Sequence, residues 1–120
     1  MKKHNFREIK IWQEALVIVK EVYAFTSNLP KEEKYGITSQ INRSAVSIPS
    51  NIAEGSGRNS NKDFMRFLDI SISSSFELET QILLAKELSF ITEEKMTLML
   101  EKLAEVQKLI FGFQKTLNTN

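Results

Sequence analysis

The chain has no cysteine and a single histidine among its 120 residues. Without thiols there are no disulfides, thiolate zinc sites, iron–sulfur clusters or cysteine nucleophiles. His4 alone cannot build a multi-histidine metal site within one chain. Glycine and proline are scarce, four and two residues, which argues against a loop-rich or linker-rich protein. No apolar run approaches the roughly 18 to 20 residues of a membrane span, and the start lacks the apolar stretch of a secretory signal. Charge of one sign is also lacking. Sixteen Lys and Arg against fifteen Asp and Glu leave a net charge of +1, too little for a global pull toward nucleic acid or membrane. These absences point to one cytoplasmic, soluble domain over residues 1–120, with flexible ends at about 1–6 and 118–120.

The apolar residues, 42% of the chain, carry the positive signal. They do not alternate strictly with polar ones, so strands are not expected. Four stretches repeat at helical spacing instead. Over residues 9–27, Trp12, Leu16, Val19, Tyr23 and Thr26 form one stripe, read as the core face. A second stripe of Ile11, Ala15, Ile18, Val22 and Phe25 lies about 100° away, more apolar surface than one packing seam needs. Over residues 34–56, Ile37, Ile41, Ala45, Ile48 and Ile52 form a stripe interrupted by Pro49, which predicts a kink rather than a stop. Gly55 and Gly57 are expected to end that helix in left-handed conformation. From residue 61, Phe64, Leu68, Ser71, Ser75, Leu78, Ile82 and Ala85 form a third stripe with a small-residue centre. Ser60 stands as its N-cap, and Thr92 caps the next helix. Over residues 93–117, Met96, Met99, Leu103, Val106, Ile110, Phe113 and Leu117 keep a 3-4 rhythm. Four helices joined by short turns predict an all-α, antiparallel up-down-up-down four-helix bundle with a proline-kinked second helix.

Chemistry-bearing clusters are few. Glu54, Glu77 and Glu79 lack the Glu-x-x-His partners of a bundle metal site. Ser71, Ser73, Ser74 and Ser75 have no base at helical spacing, so small-residue packing is the better reading. Neither an enzyme activity, a cofactor nor a metal is expected. Arg43 and Glu77 are predicted to pair across the second and third helices as part of a structural polar network. In an up-down bundle, one pole gathers residues 1–14, 50–68 and 106–120. Nine basic residues fall there: Lys2, Lys3, Arg7, Lys10, Arg58, Lys62, Arg66, Lys108 and Lys115. Only Glu8, Glu14, Glu54 and Asp63 oppose them, a net of +5.

Residues 40–55 read Q-I-N-R-S-A-V-S-I-P-S-N-I-A-E-G. The segments F-R-E-I-K-I-W-Q-E-A, L-P-K-E-E-K-Y-G-I-T and F-L-D-I-S-I-S-S-S-F-E-L-E-T-Q-I accompany it in order. Together they resemble the family named after proteins encoded in 23S ribosomal RNA intervening sequences. This chain departs from the family pattern in having Asn42 for Arg and Ser44, Ser71 and Ser73 for Ala or Gly. The resemblance implies a four-helix bundle assembling as a homopentamer, like the related accessory variability protein of diversity-generating retroelements. That relative binds nucleic acid and a reverse transcriptase.

Two functions follow as expectations. One is a nucleoprotein accessory factor that binds RNA or DNA through Lys2, Lys3, Arg7, Lys10, Arg58, Lys62 and Arg66. The other is a protein-interaction scaffold without nucleic-acid binding. Surplus apolar residues off the stripes read as core, namely Ile11, Ile18, Val22 and Phe25 on the first helix and Met65, Ile72, Phe76 and Leu83 on the third, are candidates for the oligomer interface.

Overall fold

A computed structural model describes residues 4–118. Its helices are α1 (Lys10–Thr26), α2 (Ile37–Ser56), α3 (Asn61–Glu87) and α4 (Glu93–Asn118). Short 3₁₀ turns at Phe6–Glu8 and Lys31–Glu33 precede α1 and α2. There is no strand among the described residues. Each helix packs on the next, α1 also packs on α4, and among the described residues the diagonal pairs keep their backbones apart. The result is the up-down-up-down bundle, 47 Å long and 24 by 20 Å across.

Three stripes read from the sequence are buried where expected. On α3 all seven stripe residues are buried, and on α2 Ile41, Ala45, Ile48 and Ile52 are fully enclosed. On α4 Leu103, Val106, Ile110 and Leu117 line the core, with Met96, Met99 and Phe113 at its edge. Along most of α1 the two stripes exchange roles, while Thr26 of the expected core stripe is buried. Ile11, Ala15, Ile18 and Val22 form the core face, while Leu16 and Tyr23 stand 37% and 48% exposed. Both stripes are apolar, so periodicity could not rank them. Packing on two neighbours decides, because only one line of α1 can face α2 and α4 at once.

The helix α2 runs through Pro49, which is itself buried. Proline removes one N–H from the ladder and disturbs the preceding turn. Side-chain donors reach the two carbonyls just before the proline. Asn51 Nδ2 donates to the Ser47 carbonyl at 2.8 Å, and Ser71 Oγ of α3 donates to the Ile48 carbonyl at 2.9 Å.

The ends follow local chemistry. Ser60 Oγ accepts from the Asp63 amide at 3.1 Å, and Thr92 Oγ1 from the Lys95 amide at 3.2 Å. Neither Gly55 nor Gly57 has positive φ, contrary to expectation. The left-handed position belongs to Ser89 at φ 64°, after α3. There Phe90 N donates to the Ala85 carbonyl at 2.8 Å and Ser89 N to that of Lys86 at 3.0 Å, the bond pair of a Schellman end. Gly55 lies inside α2 for a different reason. A Cβ there would sit 2.7 Å from Phe67 Cβ and 2.8 Å from Phe64 Cδ1. Only a bare Cα lets α2 and α3 approach this closely.

The segment before α1 is packed as well. His4 lies edge-on to Phe64 and Phe113, with ring centroids at 5.2 and 5.9 Å, and Phe6 lies 5.1 Å from Trp12. Residues 1–3, 119 and 120 lie outside the described residues.

Two substitutions test these assignments in urea denaturation. Gly55→Ala should cost about 1 to 3 kcal/mol through overpacking. Ser89→Gly should be neutral or stabilise by up to about 1 kcal/mol, by relieving a left-handed Cβ.

Candidate functional site

The basic pole forms because the antiparallel helices bring four chain segments to one end of the bundle. His4 packs on Phe64 and Phe113, and Asn61 at the start of α3 donates to the Leu117 carbonyl of α4 at 3.5 Å. Of the candidate phosphate-binding residues, Lys2 and Lys3 lie outside the described residues. Arg7 is exposed in the first 3₁₀ turn, with its guanidinium 5.9 Å from the Phe6 ring centroid. Lys10 opens α1 and is exposed. Arg58 lies in the turn between α2 and α3, and Lys62 and Arg66 lie in the first two turns of α3.

The arginines and lysines behave differently. Arg58 Nη2 donates to Glu54 Oε1 at 3.1 Å, and its guanidinium lies 4.5 Å from the Phe67 ring centroid. Arg66 approaches Asp63 at 3.9 Å and the same ring at 5.8 Å. Two of the four acidic residues of this pole are thus engaged with its arginines. Arg7, Lys10, Lys62, Lys108 and Lys115 have no carboxylate of the described residues within 4 Å. Sequence reasoning passed over Phe67, which organises both arginines. The Glu54–Arg58 and Asp63–Arg66 spacings of four and three were the available signal for the pairs. Lys10 and Lys108 line one groove between α1 and α4, which the sequence treated as separate segments.

The predicted Arg43–Glu77 pair does not form. Both side chains are exposed, and the described ion pairs are Arg58–Glu54, Arg66–Asp63 and Lys102–Glu21. The α2–α3 seam is closed by hydroxyls instead. Ser47 and Ser74 share a 2.8 Å hydrogen bond, and Asn51 Nδ2 donates to Ser47 Oγ at 2.9 Å. The sequence reading set Arg43 opposite Ser74, one turn from the observed register. Solvated charges at a helix edge gain little from pairing. The departures from the family pattern are structural too. Thr26 Oγ1 donates to Asn42 Oδ1 at 2.8 Å, which joins α1 to α2, and Ser71 serves the proline turn.

Four interface candidates are core residues: Ile11, Ile18, Val22 and Ile72 are each no more than 6% exposed. On α1 the inward stripe is theirs instead of the Trp12 stripe, and on α3 the buried face is wider than one stripe. Met65 and Phe25 pack at the edge of the core, whereas Phe76 and Leu83 are exposed. The surplus on α1 is the other stripe. Trp12, Leu16 and Val19, with Val46, Pro49 and Ala53 of α2, line a groove of about 310 Å³. On α3 and α4, Phe76, Leu83 and Phe111 stand 49%, 43% and 46% exposed. Gln107, one turn before Phe111, donates to Ser75 Oγ and Glu79 Oε1 at 3.1 Å each, which turns this side of α4 toward α3.

No helix of the described residues is long and apolar enough to cross a membrane. No group of three or more His, Asp or Glu among them is placed to hold a metal ion.

The family model described as 23S rRNA-intervening sequence protein matches residues 7–112. Among solved structures, the chain is similar to a protein with unknown function from the S23 ribosomal protein family of Bacteroides thetaiotaomicron. The two are 26% identical, the match covers 88% of this chain and 98% of that one, and the TM-score is 0.81. No curated protein matches this chain.

Arg43→Ala and Glu77→Ala should each change stability by less than about 0.5 kcal/mol in urea titrations, since neither side chain has an ionic partner to lose among the described residues. A loss of several times that from either variant would restore the ion pair.

Proposed function

We propose that this chain, which belongs to the 23S rRNA-intervening sequence protein family, is a self-associating, non-enzymatic helical module that holds RNA or DNA by its phosphates. The observation that carries this reading is the set of five cations on one pole, Arg7, Lys10, Lys62, Lys108 and Lys115, without carboxylate partners among the described residues. Lone cations on long, solvated stems suit a polyanion, because each phosphate they neutralise releases condensed counterions. They do not read bases, since phosphate contacts carry no sequence information. Arg58 and Arg66 are already engaged, so they belong to the pole's framework more than to its free charge. Self-association would gather several such poles and raise the avidity of a modest site. The number five for the assembly rests on the family resemblance. Neither the family description nor that of the solved relative names an enzymatic activity.

A second reading, a protein-interaction scaffold, is favoured by the uncharged groove between α1 and α2. The two readings differ in salt dependence and in the pole's importance.

The test is anisotropy of labelled RNA and DNA oligonucleotides across a salt series. The parent should bind both, with affinity falling steeply as salt rises and varying little with sequence. The triple variant Lys10→Glu, Lys62→Glu and Lys115→Glu should keep its helicity. It should lose at least about tenfold in affinity and show a shallower salt slope, by roughly 0.9 per lost phosphate contact. A parent that binds neither polymer at low salt, or a variant that binds as well as the parent, overturns the reading in favour of the scaffold.

A further inference from the structure

A guanidinium lies over an aromatic ring where α2 turns into α3. The Phe67 ring is buried, and the guanidinium carbon of Arg58 stands 4.5 Å from its centroid. Arg58 Nη2 donates to Glu54 Oε1 at 3.1 Å, so its charge is opposed, yet its side chain stays 42% exposed. One face of the guanidinium meets the ring and one edge meets the carboxylate. The opposite face is left toward water. A second, looser pair of this kind stands nearby. The exposed Arg7 guanidinium lies 5.9 Å from the Phe6 centroid, and Phe6 shares a groove with Ala53, the sequence neighbour of Glu54. Both arginine–aromatic pairs therefore sit by the last turn of α2, on the basic pole.

We infer that these arginines are stacking platforms for unpaired bases, so that the polymer taken by the pole is single-stranded. This rests on the phosphate-binding reading and names its substrate class. A planar, weakly hydrated guanidinium stacks on a nucleobase as it does on an aromatic ring. A base on the outward face of Arg58 would extend the Phe67–Arg58 stack by one layer. Every base has a π-face, so such a platform tolerates any sequence. The ring and Glu54 hold the guanidinium in place beforehand, and less conformational freedom is lost when the base arrives. A duplex cannot use the platform, because its bases are already stacked inside the helix. Charge alone argues the other way, since a duplex carries about one charge per 1.7 Å of its axis and a single strand carries fewer. A preference for single strands must then come from the bases. Lys10 and Lys62 stand close in sequence to Arg7 and Arg58 and supply phosphate contacts beside a stacked base.

The test compares labelled DNA of one length in three forms: an unstructured single strand, its duplex, and the same backbone carrying no bases. Anisotropy titrations at one moderate salt concentration give the affinity of the single strand relative to each of the other two. Both ratios should be at least roughly fivefold for the parent. Arg58→Lys keeps the charge and loses the planar face. It should keep the parent's helicity and salt slope while both ratios fall. The double variant Arg7→Lys and Arg58→Lys should bring them to about one or below. A parent that binds all three forms equally overturns the platforms and leaves the phosphate reading standing. A double variant that keeps the parent's ratios overturns the assignment to these arginines. A parent that binds none of the three overturns the phosphate reading itself.

Discussion

The closest approach in the molecule, α2 against α3, sets the rest. Gly55 has no room for a side chain against Phe64 and Phe67. From that point the seam runs through small residues, with Ser44, Ser47, Ser71, Ser74 and Ser75 between the apolar layers. Small side chains let helices come close but bring hydroxyls into a dry place, where an unpaired polar group is costly. Here Ser47 and Ser74 bond each other, Ser71 bonds the Ile48 carbonyl, and Ser75 bonds the Ile72 carbonyl. The first two cross between the helices and are short-range and directional, so they fix how far α2 slides along α3. Once that register is set, the outward residues of α2 and α3 follow from helical geometry.

The same seam explains why the pole's arginines differ from its lysines. Phe67 flanks Gly55, and its ring offers a face at the rim of the bundle. Arg58 and Arg66 lie over it, each also near a carboxylate of its own helix or turn. A planar guanidinium stacks and hydrogen-bonds at once, which a lysine ammonium does not do. The arginines therefore tie the α2–α3 turn to the core, while the lysines project from helix surfaces. A ligand drawn to this pole meets diffuse positive charge around an ordered arginine and aromatic centre.

Polar contacts across α3 and α4 have another consequence. Gln107 bonds Ser75 and Glu79, and Gln114, seven residues on, bonds Asp69 at 2.8 Å. Two glutamines at this spacing lie on one side of α4 and hold it to α3 over two turns. Phe111 lies between them in sequence, on the same side, and stands 46% exposed instead of entering the core. The exposure of Phe111 is thus a by-product of how α4 is anchored. On another side, Thr26 and Asn42 tie α1 to α2, the two helices that wall the groove lined by Trp12, Leu16 and Val46.

The helices were legible in the sequence, because a 3.6-residue period and a few capping side chains are local properties. The stripes of α2, α3 and α4, the Ser60 and Thr92 caps and the passage of α2 through Pro49 all lie at that level. The gathering of basic segments at one pole also followed, since antiparallel topology alone brings them together. Wherever two local answers were equally good, only the tertiary structure could choose. Both stripes of α1 were apolar enough to be core, and the choice belonged to its two neighbours. Gly55 looked like a helix end, but two phenylalanines of another helix define its role. Arg43 and Glu77 were chemically suited to pair, yet the register put serines in the seam and left both charges in water. Periodicity states which residues share a face; what that face meets is decided by residues distant in sequence.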